Sequence, residues 1–116
     1  MAFLSSTEPT ALFLSVLTLG ELRKGVVIKR RSDPDAAERI ASWIDGLELS
    51  FADRILGLDA ATTKLWGQLS AERPRPVVDT LLAATAIIHG LTFVTRNLAD
   101  VSDIAVKVHD PWKRHS

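Results

Sequence analysis

The chain has 116 residues, enough for one domain with a real core and too few for two. Hydrophobic residues make up 47% and charged residues 24%, the balance of an ordinary soluble globular domain rather than of a disordered or fibrous chain. Lys plus Arg equals Asp plus Glu at 14 each, so overall charge supplies no attraction to nucleic acid, and the lack of cysteine excludes a disulfide framework, a thiolate metal site and a cysteine nucleophile.

Leu12 to Leu17 is a compact apolar run, and its neighbours assign it to a buried strand. Thr18 opens a helical segment with apolar residues at Leu19, Leu22 and Val26, ending in Lys29, Arg30 and Arg31, which suit a helix C-terminus. Asp33 and Pro34 punctuate a turn. A second helix is expected from Asp35 to Leu47, where Ala36, Ile40, Ile44 and Leu47 recur every three to four residues. Arg54 to Leu58 is a short strand candidate, and Asp59 caps a third helix that runs through Glu72 with Ala61, Leu65 and Leu69 on one face. Pro74 and Pro76 end it.

Asp79 to His89 is apolar nearly all round, the pattern of a central helix packed on both sides, and Gly90 stands where a C-terminal glycine is expected. Leu91 to Thr95 and Ile104 to Val108 are β-branched strands separated by the polar stretch Arg96 to Asp103. Strands alternating with helices predict an α/β fold with a mainly parallel sheet covered by helices. The longest apolar runs, Ala11 to Leu19 and Thr80 to His89, are too short to span a bilayer. Residues 1–30 also lack a basic start, an apolar stretch and a small-residue cleavage site, so a cytoplasmic protein with no membrane segment is expected.

In such a sheet, ligands bind at the edge formed by strand C-termini and helix N-termini. Glu21, Asp79, Asn97 and Asp100 all fall there: Glu21 after the first strand, Asp79 at the start of the central helix, Asn97 and Asp100 after strand Leu91 to Thr95. Each has a bland alternative. Thr18-x-x-Glu21 fits a capping box, Asp79 could cap its helix, and Asp100 could sit in a solvated turn. Asp59 and Asp110 fall on the same edge by the same rule. Three converging carboxylates with an amide would make a hard oxygen site suited to Mg²⁺ or Mn²⁺. His89, His109 and His115 are too scattered for a ligand set, and no G-x-G-x-x-G, P-loop or G-x-S-x-G motif is present.

These residues resemble the PIN-domain family, and within it the VapC and FitB-like toxins of toxin-antitoxin pairs. The matching stretches are Leu14 to Gly25 (LSVLTLGELRKG), Pro76 to Ala86 (PVVDTLLAATA), Gly90 to Asp100 (GLTFVTRNLAD) and Val108 to Trp112 (VHDPW). The resemblance implies a PIN-like three-layer α/β/α domain over residues 1–116. It also implies an endoribonuclease that hydrolyses RNA with acidic residues around Mg²⁺ or Mn²⁺. Carried over by position, Glu21, Asp79 and Asp100 are the catalytic metal ligands, with Thr95 and Asn97 as polar supports; Arg96 could steady a substrate phosphate, although a loop arginine at a strand end is more often solvated. The implied partners are RNA, a VapB-like antitoxin and a second copy in a homodimer.

The family opens with a central strand that bears a first acid in an Asp-Thr-Asn-like motif. Met1 to Ser6 resembles instead the end of the following helix, so the resemblance implies an N-terminally truncated domain whose first, central strand is missing. Loss of that strand would leave two half-sheets with unpaired facing edges, at about 0.5 to 1.5 kcal/mol for each hydrogen bond not remade, unless the halves close up. The alternative to an active nuclease is therefore a catalytically incomplete remnant that keeps only dimerisation or antitoxin binding, through helices Thr18 to Arg31 and Asp35 to Leu47.

Overall fold

The structure, a computed structural model, describes residues 3–5, 12–94, 103, 104, 106, 108 and 109. Among them are β1 (Phe3–Ser5), β2 (Leu12–Ser15), α1 (Val16–Arg30), α2 (Pro34–Ser50), β3 (Ile55–Leu56), α3 (Ala60–Glu72), α4 (Val77–His89), β4 (Thr92–Val94) and β5 (Val108–His109). A short 3₁₀ turn at Ala52–Arg54 leads into β3. No helix among the described residues is long and apolar enough to cross a membrane.

The five strands lie in the order β3-β2-β1-β4-β5. β2 pairs parallel with β3, Leu14 opposite Ile55, and β4 pairs parallel with β5, Phe93 opposite Val108. β1 lies between the two halves and runs antiparallel to both, with Leu4 opposite Phe13 on one side and Phe93 on the other. The slot expected to lack a strand is thus filled, and Phe3–Ser5 is a strand rather than the helix end read from the sequence. The physical reason is that two facing edges carry unpaired backbone donors and acceptors, which one extended segment satisfies on both sides. Leu4 adds burial, being only 1% exposed. The sheet is therefore mixed, although every strand other than β1 points the same way.

Alternation along the strands assigns the two faces. Leu14 and Ile55 pack with Leu19, Val26, Ala37 and Ile44 from α1 and α2, while Phe13 and Leu56 pack with Leu4, Leu82, Ala83, Ala86, Phe93 and Ile104 on the opposite side. Helices cover both faces, as the three-layer expectation requires. Burying a side chain such as Leu14 or Ile44 stabilises by about 1.5 to 3 kcal/mol, more than the exposed ion pairs that also join α1 to α2. Those pairs are Arg23 to Asp45 at 2.7 Å, Arg23 to Glu48 at 2.9 Å and Arg30 to Glu38 at 3.2 Å. Arg54 closes the junction into β3: its guanidinium donates to the carbonyls of Leu12 and Ser50 and lies 4.6 Å from the centre of the Phe51 ring.

Element ends follow their caps. The Ser15 hydroxyl accepts from the Leu17 amide at 3.1 Å, so α1 starts at Val16 and the preceding strand is shorter than read from the sequence. Asp33 and Pro34, expected as a turn, are the N-cap and first residue of α2, with Asp33 accepting from the Ala36 amide at 3.1 Å. Asp59 caps α3 by accepting from the Thr62 amide at 2.8 Å, as expected. α4 carries buried Thr80, Leu82, Ala83, Ala84, Thr85 and Ala86, which confirms its central place, and Gly90 ends it in the left-handed region at φ 66°. The last strand starts later than the sequence suggests: the Val106 amide bonds back to the Ile104 carbonyl at 2.8 Å, a tight turn, and extended pairing begins at Val108.

Candidate active site

β2 hands the chain directly to α1, so the first two turns of α1 stand at the C-terminal edge of the sheet. Glu21 is the sixth residue of that helix, counting from Val16. Since Ser15 caps the helix and no acid lies in its first turn, the capping-box explanation for Glu21 does not hold. Thr18, the other half of the supposed box, is buried at 3% exposure. Glu21 instead is exposed and lines a cleft of about 490 Å³ together with Val16, Leu17, Gly20, Lys24, Gly25, Ile28 and Val78.

Val78 brings the first turn of α4 onto the same cleft, and Asp79 is the next residue, third in that helix after Val77. The cap position is Pro76, which offers no side-chain hydrogen bond, so Asp79 is not the N-cap residue of α4. It is half-buried in the first turn of α4. Thr80 beside it is fully buried and donates its hydroxyl to the Pro76 carbonyl at 2.6 Å, which fixes the start of the helix.

The structure thus brings Glu21 and the turn bearing Asp79 to one cleft. Asp100, Thr95, Arg96 and Asn97 lie outside the described residues, as do Asp110 and His115. Among the described residues, no three of His, Cys, Asp or Glu gather closely enough to hold a metal ion. Glu21 offers anionic oxygens at an open cleft, the donor type that hard divalent cations take.

Asp59, which the edge rule also catches although the sequence reads it as a helix cap, lies elsewhere. Its carboxylate meets His89 Nε2 at 3.0 Å, at the last residue of α4, about 15 Å along the helix axis from Asp79 at 1.5 Å per residue. Thr62 in the first turn of α3, together with the charge of His89, holds Asp59 below the ordinary carboxylate range. It is a cap with an ion-pair partner, and the edge rule misplaced it.

Lys24 was not singled out from the sequence, although it follows Glu21 by one helical turn. Its place in the cleft puts an ammonium group on the same helix face as the Glu21 carboxylate. The signal was the i, i+3 spacing within Glu21 to Lys24.

Residues 2–106 match the family model described as PIN domain. The chain is 37% identical over 89 residues to ribonuclease VapC4 of Mycobacterium tuberculosis, a match that covers 72% of this chain and 65% of that protein. It is 30% identical over 119 residues to toxin FitB of Neisseria gonorrhoeae, covering 97% of this chain and 84% of that one. The solved structure of FitAB bound to a DNA fragment superposes with a TM-score of 0.76 at 25% identity, over 90% of this chain and 76% of the other.

Proposed function

The chain belongs to the PIN-domain family, and on that premise we propose that it is a metal-dependent ribonuclease of toxin-antitoxin type, with Glu21, Asp79 and Asp100 as its Mg²⁺ or Mn²⁺ ligands. The observation that carries this reading is the cleft shared by Glu21 and the opening turn of α4, because it leaves Glu21 exposed there with no capping duty. Relatives named a ribonuclease and a toxin support the substrate and the biological setting.

A bound divalent cation would activate water and stabilise charge on the phosphate oxygens. The chain's own residues have separable tasks. Glu21 presents its carboxylate from α1, and Asp79 presents one from a helix start pinned by buried Thr80. Lys24 holds a substrate phosphate against the cleft wall, and Arg96 meets a neighbouring phosphate. Thr95 and Asn97 support Asp100. A cytoplasmic toxin would meet its RNA there, and an antitoxin would cover it. The α1–α2 hairpin leaves Val27, Ile28, Ile40 and Trp43 exposed, which fits a face covered by an antitoxin or a second copy.

A second reading has its own support. The strand in the middle of the sheet is Phe-Leu-Ser, reversed, and it brings no carboxylate to the edge. That arrangement favours a domain that still binds an antitoxin or dimerises but cleaves poorly.

RNA cleavage by the purified chain in Mg²⁺, in Mn²⁺ and in chelator separates the two. On the first reading, cleavage needs the cation, and Glu21→Gln or Asp79→Asn each lowers it by about a hundredfold or more, since even an outer partner of a metal ligand is worth about 10- to 100-fold. Circular dichroism of both variants should match the unaltered chain, because Glu21 is exposed and neither change alters volume appreciably. Cleavage that persists in chelator, or survives both substitutions, rules out this site.

A further inference from the structure

The cations of α1 divide between two faces. Arg23 and Arg30 turn to α2, where Asp45, Glu48 and Glu38 hold them. Lys24 lines the cleft with Glu21, on the other side of the helix. At about 100° of rotation per residue, Arg31 falls between Gly20 and Lys24 on that same face. Its backbone keeps helical angles, φ −67° and ψ −31°, so the face runs on through it although α1 ends at Arg30. Lys24 and Arg31 are both exposed, and among the described residues no Asp or Glu forms an ion pair with either.

The open side of α1 therefore presents Glu21, Lys24 and Arg31 in a row, with Arg31 about 10.5 Å beyond Lys24 at 1.5 Å per residue. Gly25 lies between the two cations, and a Cβ built there would meet nothing within 4 Å, so the floor of the row is open. Basic residues at a helix C-terminus also offset its dipole, but Lys29 and Arg30 already stand in that last turn. What sets Lys24 and Arg31 apart is the face they share with the cleft.

We propose that this face is the track of the RNA strand: Lys24 takes a phosphate at the cleft, and Arg31 takes one further along the same backbone. The inference rests on the ribonuclease reading above and gives that site a direction, from Glu21 towards the C-terminal end of α1. Two unpaired cations in line along an open groove suit a chain of repeated phosphates, because each contact releases counterions without needing a shaped pocket. The Arg31 guanidinium adds a fork that matches two phosphate oxygens at once. Such contacts orient the strand and leave its sequence unread.

The test is binding of a short labelled single-stranded oligoribonucleotide, followed by fluorescence anisotropy in chelator, where metal-dependent cleavage is silent. Lys24→Gln and Arg31→Gln are each expected to weaken binding about three- to tenfold. Each should also lower the slope of log affinity against log salt by about 0.7, the share of one phosphate contact on a single strand. Lys29→Gln removes the same charge about 140° round the helix from Lys24 and should move both quantities far less. Gly25→Leu fills the open floor with a better helix former, so it should weaken binding while circular dichroism shows the helices intact. Equal losses in Arg31→Gln and Lys29→Gln overturn the track, as does an unaltered chain that binds no RNA. An acidic peptide that binds as tightly as the RNA, and loses as much in Arg31→Gln, overturns the assignment to RNA. In each of these cases the nuclease reading still stands if cleavage in Mg²⁺ or Mn²⁺ depends on Glu21. Binding that depends on Arg31 without any cation-dependent cleavage upholds the track and overturns the nuclease reading instead.

Discussion

Leu4→Ala tests whether Phe3–Ser5 holds the centre of the sheet. Leu4 is 1% exposed and packs with Leu82, Ala83, Ala86, Phe93 and Ile104, so truncation removes three buried carbons and opens a cavity against a close-packed helix. At about 0.8 kcal/mol per buried carbon the transfer loss is roughly 2.4 kcal/mol. The cavity brings the total into the range of about 2 to 5 kcal/mol measured for such changes. With a urea slope of about 1.5 kcal/mol/M, a loss of about 3 kcal/mol moves the unfolding midpoint down by roughly 2 M. Leu12→Ala serves as the control, because Leu12 lies on the adjacent strand but is 38% exposed, and about 1 kcal/mol or less is expected there. If Leu4→Ala unfolds within about 0.5 kcal/mol of the unaltered chain, β1 does not occupy the slot between β2 and β4, and the sheet must close in another way.

Asp59 and Asp103 both titrate below the ordinary carboxylate value of 3.8 in the folded chain. For Asp103, burial works against the charged form, but the hydrogen bond from Arg75 and the charges of Arg73 and Arg75 outweigh it. A depressed folded value means that each carboxylate stabilises the fold above its unfolded pKa and stops doing so as pH falls through the folded one. Urea midpoints should therefore drop as pH is lowered below about 4, and Asp59→Asn or Asp103→Asn should flatten that drop. Gly90→Ala should cost about 1 to 2 kcal/mol in the same assay, because φ is 66° there and a Cβ is disfavoured even with open space around it. Gly90→Asn should cost less; equal losses would show that something other than backbone conformation is at work.

Caps and periodicity made the helical frame legible. Asp59 and Gly90 were readable because each acts on residues a few positions away. The start of α1 was misplaced because Ser15 and Thr18 are both competent caps, and only the direction of the preceding strand decides between them. β1 was not legible at all: Phe-Leu-Ser has no period, and what makes it extended is two unsatisfied edges contributed by segments far along the chain. Of the candidate site, the sheet-edge rule correctly brought Glu21 and the Asp79 turn to one place. The same rule failed for Asp59, since a local reading could not foresee that His89, 30 residues on (89 − 59), would hold it at the far end of α4. Arg75 was invisible for a similar reason, because a charged residue between two prolines reads as a solvated loop until Asp103 is seen to cover it.

Because β1 runs against its neighbours, Phe3 sits beside Val94, level with the ends of β2 and β4. Anything fused ahead of Phe3 is thus attached at the edge of the sheet where β2 hands over to α1 rather than at the opposite edge. A histidine-rich purification handle at that end would bring imidazoles, which suit Zn²⁺, Ni²⁺ or Cu²⁺ rather than Mg²⁺, to the same sheet edge as Glu21. Metal assays on this protein are best made after the handle has been removed.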